Sequence, residues 1–454
     1  MAGNKPNTHQ VGYGRRSISL ALVSPVLMVA VIWVFPAGAQ STGKTVRHHQ
    51  EAVQDPILPP ELVQAETAIE KKDYASAQPL LQQVVGKTPT NYRAWFDLGF
   101  VYNALGQTAE AINAYEKSVA AKPDVFESNL NLGLMLAKAD QPDAEKYLRA
   151  ATKLKPIDHP DQNQEQAWLA LAHVLEGNQP EEALEAYGHA AKLQPKDPEP
   201  HLSAASLLFR QNKYADAEQR YRQALTADPK SADALIGIAN IYARGDRLTE
   251  AADTLRQLVS LQPDYAPAHF ELARVLEADK KHDEAIAEYQ AGLKLSPNDK
   301  DAQLALAHAL TTAGKYQDAA PLYQSLLKTN PNDPELHYSL GHAYMNQKNF
   351  TKAQDEFMAA VKLKPNFGAA YGDLAFAANE NQNYELTIKA LDVRSKLLAE
   401  TPITYFLKAT AYDHLRLKKE AASNYHLFLE TANGRYPDQE WQARHRLVAI
   451  EPKK

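Results

Sequence analysis

No cysteine occurs among the 454 residues, so any chemistry this chain performs must come from other side chains, and its 15 histidines are the first to consider. Lack of thiols removes disulfides, thiolate nucleophiles and thiolate zinc sites together. His173, His308 and His342 stand at equivalent points of a recurring pattern, with 34 residues between the last two. Equivalent points on neighbouring helices lie about 8–10 Å apart, whereas each ligand of a zinc ion sits about 2 Å from it. These imidazoles therefore read as surface-lining groups, and no metal or other cofactor is expected. There is no Gly-rich phosphate loop, no G-x-S-x-G turn and no H-E-x-x-H pair. Ser, His and Asp are common but do not converge in sequence, so the chain reads as a non-enzyme.

What must position such side chains shows in the stretch WFDLGFVY, residues 95–102. Trp95, Leu98, Gly99 and Tyr102 fall at i, i+3, i+4 and i+7, one stripe of a helix. Leu340, Gly341 and Tyr344 repeat it. A second helix follows each stripe: Ala111 and Tyr115 before Pro123, and Ala353 and Phe357 before Pro365. Pro89 and Pro123 are 34 apart, and Pro195, Pro229, Pro263, Pro297, Pro331 and Pro365 continue in steps of 34. A small residue on each helix lets the two axes approach until their large neighbours interlock. Proline then ends the second helix, since it disfavours helical geometry in the residue before it and lacks an N–H.

The pattern resembles the tetratricopeptide repeat, a helix-turn-helix unit of 34 residues with the signature W-x2-L-G-x2-Y, A-x3-F and P. The resemblance covers residues 58–433 as ten units and a weaker eleventh, and is nearly complete from Tyr92 to Val125. It implies an all-α solenoid, a right-handed superhelix of antiparallel helix pairs. From Pro123 to Pro156 the step is 33 and from Pro156 to Pro195 it is 39. We therefore expect an inserted loop at residues 157–164. His159-Pro160-Asp161 within it resembles the tripeptide of J-domain co-chaperones, but repeat register makes it an inter-repeat turn with Asp161 as a helix cap. Residues 434–454 read as a capping helix and tail.

In that family the first helices line a concave groove for partner peptides. The resemblance places there Phe96, Phe100 and Asn103; Asn131; His173; Asn240; Phe270 and Arg274; His308; and Tyr338, His342 and Asn346. Phe96 and Phe100 stand where the family's carboxylate clamp needs Lys and Asn, which argues against capture of chaperone tails.

At the N-terminus, Arg15 and Arg16 precede an apolar run from Ile18 to Phe35 and then Ala37-Gly38-Ala39. This is the pattern of a signal peptide over residues 1–39, or of an uncleaved signal anchor. Residues 40–57 read as a flexible linker. Either way the rest of the chain is expected to be exported, periplasmic or secreted. Net charge is −6, and the first 39 residues hold three cations and no acid, which leaves −9 beyond them. That sign argues against nucleic acid and anionic membranes as partners. The reading that results is a non-catalytic protein-interaction scaffold of the cell envelope whose partner is a protein or peptide. Fold-level analogy offers an accessory part of a pilus or exopolysaccharide export machine as the alternative. A hydrolase or transferase is more distant, because repeats occupy nearly all of the mature chain.

Overall fold

A computed structural model describes residues 58–451. Within them the chain forms 23 α-helices and no strand. They run α1 (Pro60–Glu70), α2 (Tyr74–Lys87), α3 (Tyr92–Ala104), α4 (Thr108–Ala121), α5 (Phe126–Lys138), α6 (Ala144–Ala151), α7 (Pro160–Leu175) and α8 (Pro180–Leu193). Next come α9 (Glu199–Arg210), α10 (Tyr214–Ala227), α11 (Ala232–Arg244), α12 (Leu248–Leu261), α13 (Ala266–Ala278), α14 (His282–Leu295), α15 (Lys300–Thr312) and α16 (Tyr316–Thr329). The chain closes with α17 (Pro334–Asn346), α18 (Phe350–Leu363), α19 (Gly368–Glu380), α20 (Tyr384–Leu397), α21 (Pro402–His414), α22 (Lys418–Ala432) and α23 (Pro437–Ile450). Eleven pairs and a final helix result, each helix packing on the one before it and the one after.

Glycine marks where two helices come closest. A Cβ on Gly99 would stand 2.8 Å from the Tyr115 ring, and one on Gly341 would stand 2.6 Å from the Phe357 ring. Leu98, Ala111, Leu340 and Ala353 are buried beside these slots. The ring of the second helix thus occupies the space a side chain would take on the first. This is the interlocking that the alternation of small and large residues predicts.

All the turns inside the pairs except that between α7 and α8 share a second device. Lys72, Asp140, Asn212, Asp246, Lys280, Lys348, Gln382 and Arg416 all have positive φ, as do Gly106 and Gly314 at the equivalent place. The left-handed residue reverses the chain within three residues, at a cost that only glycine escapes.

A third device joins one pair to the next. Trp95 Nε1 donates to the Pro89 carbonyl (2.9 Å), Asn129 Nδ2 to that of Pro123 (2.8 Å) and Gln303 Nε2 to that of Pro297 (2.7 Å). Nε2 of His269 and of His337 lies 3.1 Å from the carbonyls of Pro263 and Pro331, which can only accept. The other ring nitrogens face Glu288 (2.7 Å) and Glu356 (2.6 Å). Trp95 is accordingly half-buried, with Lys117 Nζ 4.4 Å above its ring, and makes a joint between pairs rather than a core plug.

The irregular step in the proline ruler takes a different form from a loop. Helix α6 is cut to eight residues, and α7 starts at Pro160, so most of segment 157–164 is helical. His159, at φ 42°, takes the place before the helix, and Pro160 opens it because its fixed φ suits the first turn. Asp161 lies inside that first turn and is not the cap, which corrects the expectation from repeat register. The expected signal segment, 1–39, and linker, 40–57, lie outside the described residues.

Candidate interaction surface

First helices sit closer together than second helices do. Direct contact joins α1 with α3, α5 with α7, α9 with α11, α11 with α13 and α19 with α21, whereas no two second helices touch to the same extent. The first helices therefore form the inner wall of the array. Nine of the twelve residues expected there lie on it with part of their surface open; Phe96, Asn131 and Asn240 do not.

Phe96 is fully buried and packs edge-on against Tyr115, with ring centroids 5.6 Å apart. Leu132 and Met135 of α5 close over it in the same cluster. Asn131 is fully buried as well, and its amide lies 3.4 Å from the Tyr115 hydroxyl. Asn240 is 4% exposed because α9 and α13 both close on α11, in which every residue from Ala234 to Tyr242 is buried. These three positions are therefore corrected from surface to core, which leaves nine of the twelve on the wall.

Those nine differ in how they are held. Phe100 is half-buried against Tyr74, and Asn103 is half-buried on the next turn. Phe270 is partly buried with its ring in the slot left by Gly292. Arg274 donates to Glu271 (2.9 Å), and Asn346, exposed, donates to the His342 carbonyl (2.9 Å). His173 lies 3.4 Å from Ser203 and edge-on to Tyr187. His308 leans on Tyr323 at 5.8 Å. Burial holds both imidazoles below the usual range, so both are neutral at pH 7.

Tyr338 and His342 converge on one carboxylate. The Tyr338 hydroxyl donates to Asp373 Oδ2 (2.9 Å), and His342 Nε2 lies 3.0 Å from the same oxygen. The two rings meet edge-on at 4.5 Å. Asp373 comes from α19 and is 3% exposed, so the contact also ties one pair to the next. Burial, and then the Asp373 charge, push the Tyr338 phenol up.

Asp373 was not anticipated, and neither were the acceptors under the other tyrosines. Tyr187 donates to Glu176 (2.6 Å), Tyr289 to Glu277 (3.1 Å) and Tyr425 to Asp413 (3.5 Å), while Tyr323 shares a hydrogen bond with Thr311 (3.2 Å). In each case the acceptor sits 11 or 12 residues before the ring, near the end of the first helix. The signal was Tyr where the repeat signature has Phe, since a buried hydroxyl needs a partner. Raised phenols and neutral imidazoles make weak acids and bases but good hydrogen-bond partners for peptide groups. Among the described residues no three His, Asp or Glu side chains converge as a metal ion would require.

A family model of the tetratricopeptide C-terminal domain of cilia and flagella-associated protein 70 matches residues 61–303, more than half of the chain. The chain belongs to the tetratricopeptide-repeat family. A second tetratricopeptide model matches residues 310–375. Among solved structures, this tetratricopeptide solenoid is similar to YrrB, described as having an unusual peptide-binding site. The two share 24% identity over 41% of this chain and 96% of that one, with a TM-score of 0.38. MamA from Desulfovibrio magneticus RS-1 shares 20% identity over 36% of this chain and 92% of its own, with a TM-score of 0.34. The Cut9-Hcn1 hetero-tetramer of APC/C matches at 16% identity over 85% of this chain and 96% of that chain, with a TM-score of 0.35. Tetratricopeptide repeats are protein-interaction modules, and the coarse function of this chain is that of a protein-interaction scaffold. No helix among the described residues is long and apolar enough to cross a membrane.

Proposed function

We propose that the array is a non-catalytic scaffold that holds an extended segment, or a helix, of a partner protein against the wall of first helices. The observation that carries this reading is the Tyr338–His342–Asp373 cluster. It sets two half-buried rings on the wall over a shared buried carboxylate, fixed from two successive pairs. An extended peptide brings backbone amides that need partners and side chains that need apolar contact. Aromatic groups of this kind supply most of the energy at protein interfaces. Phe100, Phe270 and His308 offer similar surfaces on other pairs. Export, suggested by residues 1–39, would place this activity in the cell envelope or outside the cell.

The test is affinity capture from an envelope extract with wild-type protein and with Phe100, Tyr338 and His342 each changed to Ala. A partner lost from the variants while melting stays near that of wild type supports the wall. A partner retained by all three moves the site elsewhere on the array. Sequencing the N-terminus of the mature protein tests export: a start at Gln40 supports release, and an intact Met1 supports an anchor or no export.

A further inference from the structure

On the outer side of the array, where second helices stand apart, a cavity of about 520 Å³ opens between α2, α3 and α4. That is within the usual range for a ligand pocket, about 300–1,000 Å³. Its floor is Trp95, Leu98 and Tyr102, the large side chains of the first-helix stripe, and its walls include Gly86 of α2 with Ala109 and Ala114 of α4. The small walls open it. The residue three places before the proline is Gly86 here, whereas Lys192, Lys294, Lys328 and Lys362 hold that place in later units. A Cβ on Gly86 would meet nothing within 4 Å.

The rim along α4 is polar. Glu110, Asn113 and Lys117 lie at i, i+3 and i+7, one stripe beside the cavity, and all three are exposed. Among the described residues none of the three side chains has a hydrogen bond or an ion pair, and the Lys117 ammonium rests 4.4 Å from the centre of the Trp95 ring. The pair α7–α8 shows what lies well on such a floor. Trp168 stands four residues before Ala172 as Trp95 stands four before Gly99, and His189 stands six after Ala183 as Lys117 stands six after Ala111. There the imidazole stacks on the indole, with centroids 4.3 Å apart and planes 17° apart. Over Trp95 a flexible ammonium replaces that ring, and a cation on an exposed ring is held weakly.

The geometry points to this cavity as a second binding site, one that takes an aromatic side chain of a partner protein. The ring lies on Trp95 as His189 lies on Trp168, in a slot that Gly86 and Ala114 leave free. Lys117 then swings off the indole and donates to a main-chain carbonyl of the partner, while Glu110 and Asn113 offer oxygens to its N–H groups. A peptide unit needs both kinds of partner, and the stripe on α4 supplies both. The site is on the opposite side of the array from the wall of first helices and does not depend on that wall.

The probe is a glycine-flanked para-fluorophenylalanine peptide, blocked at both ends, and fluorine NMR with the full chain is the measurement. Wild type should shift and broaden the signal. The unfluorinated phenylalanine peptide should displace it about tenfold better than one carrying cyclohexylalanine, a difference of one decade in Kd. Gly86→Leu fills the cavity from a helical position with free space around it, so the fold is kept, and melting curves check this. It should weaken binding about tenfold, whereas Gly188→Leu, the same change at an open glycine of α8, should leave it unchanged. Lys117→His, which copies the cap of Trp168, should weaken it as well. Equal effects of the two leucine variants, equal displacement by the two peptides, or no binding by wild type would each overturn the proposal. Loss in Tyr338→Ala with Gly86→Leu unaffected would put the probe on the wall, so that the wall reading stood and this one fell. Cavity-dependent binding of the probe, together with a native partner indifferent to Tyr338 and His342, would keep the outer site while the wall reading failed.

Discussion

Phe96 and Tyr338 hold the same place in their pairs, the fifth residue of α3 and of α17, yet one is sealed in the core and the other lies on the wall. The ring each one meets accounts for the difference. Opposite Phe96 stands Tyr115, whose hydroxyl takes the amide of Asn131 as a partner inside the core. Opposite Tyr338 stands Phe357, which has no hydroxyl, and here the first-helix ring carries it outward to Asp373. Each pair of rings holds one phenol and one phenyl group: where the hydroxyl finds its partner inside, both rings are fully buried, and where it turns to Asp373, the phenol stays half-buried. Repeat position alone therefore does not fix exposure.

The comparison can be broken by truncating both rings. Phe96→Ala should cost about 3–5 kcal/mol, as a large-to-small change in a closed core, and Tyr338→Ala less than half as much; urea unfolding of both variants is the check. Equal losses would mean that the wall ring is as much a part of the core as Phe96. Next in size, Gly99→Leu and Gly341→Leu should each cost about 1–3 kcal/mol by overpacking, because a ring fills both slots. A marked inequality between them in the same experiment would show that one slot can yield. Moving only the oxygen is gentler. Tyr338→Phe should cost about 1 kcal/mol, read from the shift in melting, since His342 still attends Asp373.

The smallest effect is a slope. Burial, and then the Asp197 charge, make Glu165 bind its proton more tightly in the folded chain, from the ordinary 4.5 up to about 8. Between those values the folded state holds more protons than the unfolded one, so this contribution is complete below 4.5 and is lost as pH rises toward 8. Glu165→Gln should flatten the fall of melting temperature over that window. A slope identical to that of wild type would show that the carboxyl titrates normally.

Much of the fold was legible because the signature concerns volume. Gly99 against Tyr115 and Gly341 against Phe357 are statements about space, which residue types carry directly. The wall was less legible because it depends on what the neighbouring pair supplies. Asn131 looked like a surface amide until the Tyr115 hydroxyl was placed beside it, and Asn240 until α9 and α13 closed on α11. Glu165 gave no sign within its polar run. Its burial follows from the early start of α7, which the 39-residue step marked only as extra length.

The side chains that reach back to a proline carbonyl are an indole, an asparagine amide, a glutamine amide and two imidazoles. They have in common only an N–H held at one height above the preceding turn. A joint with so loose a chemical demand is easily remade. When recombination deletes or duplicates a unit, the new neighbours need one donor between them to close the seam. Arrays of this kind can therefore change in length faster than they change in architecture.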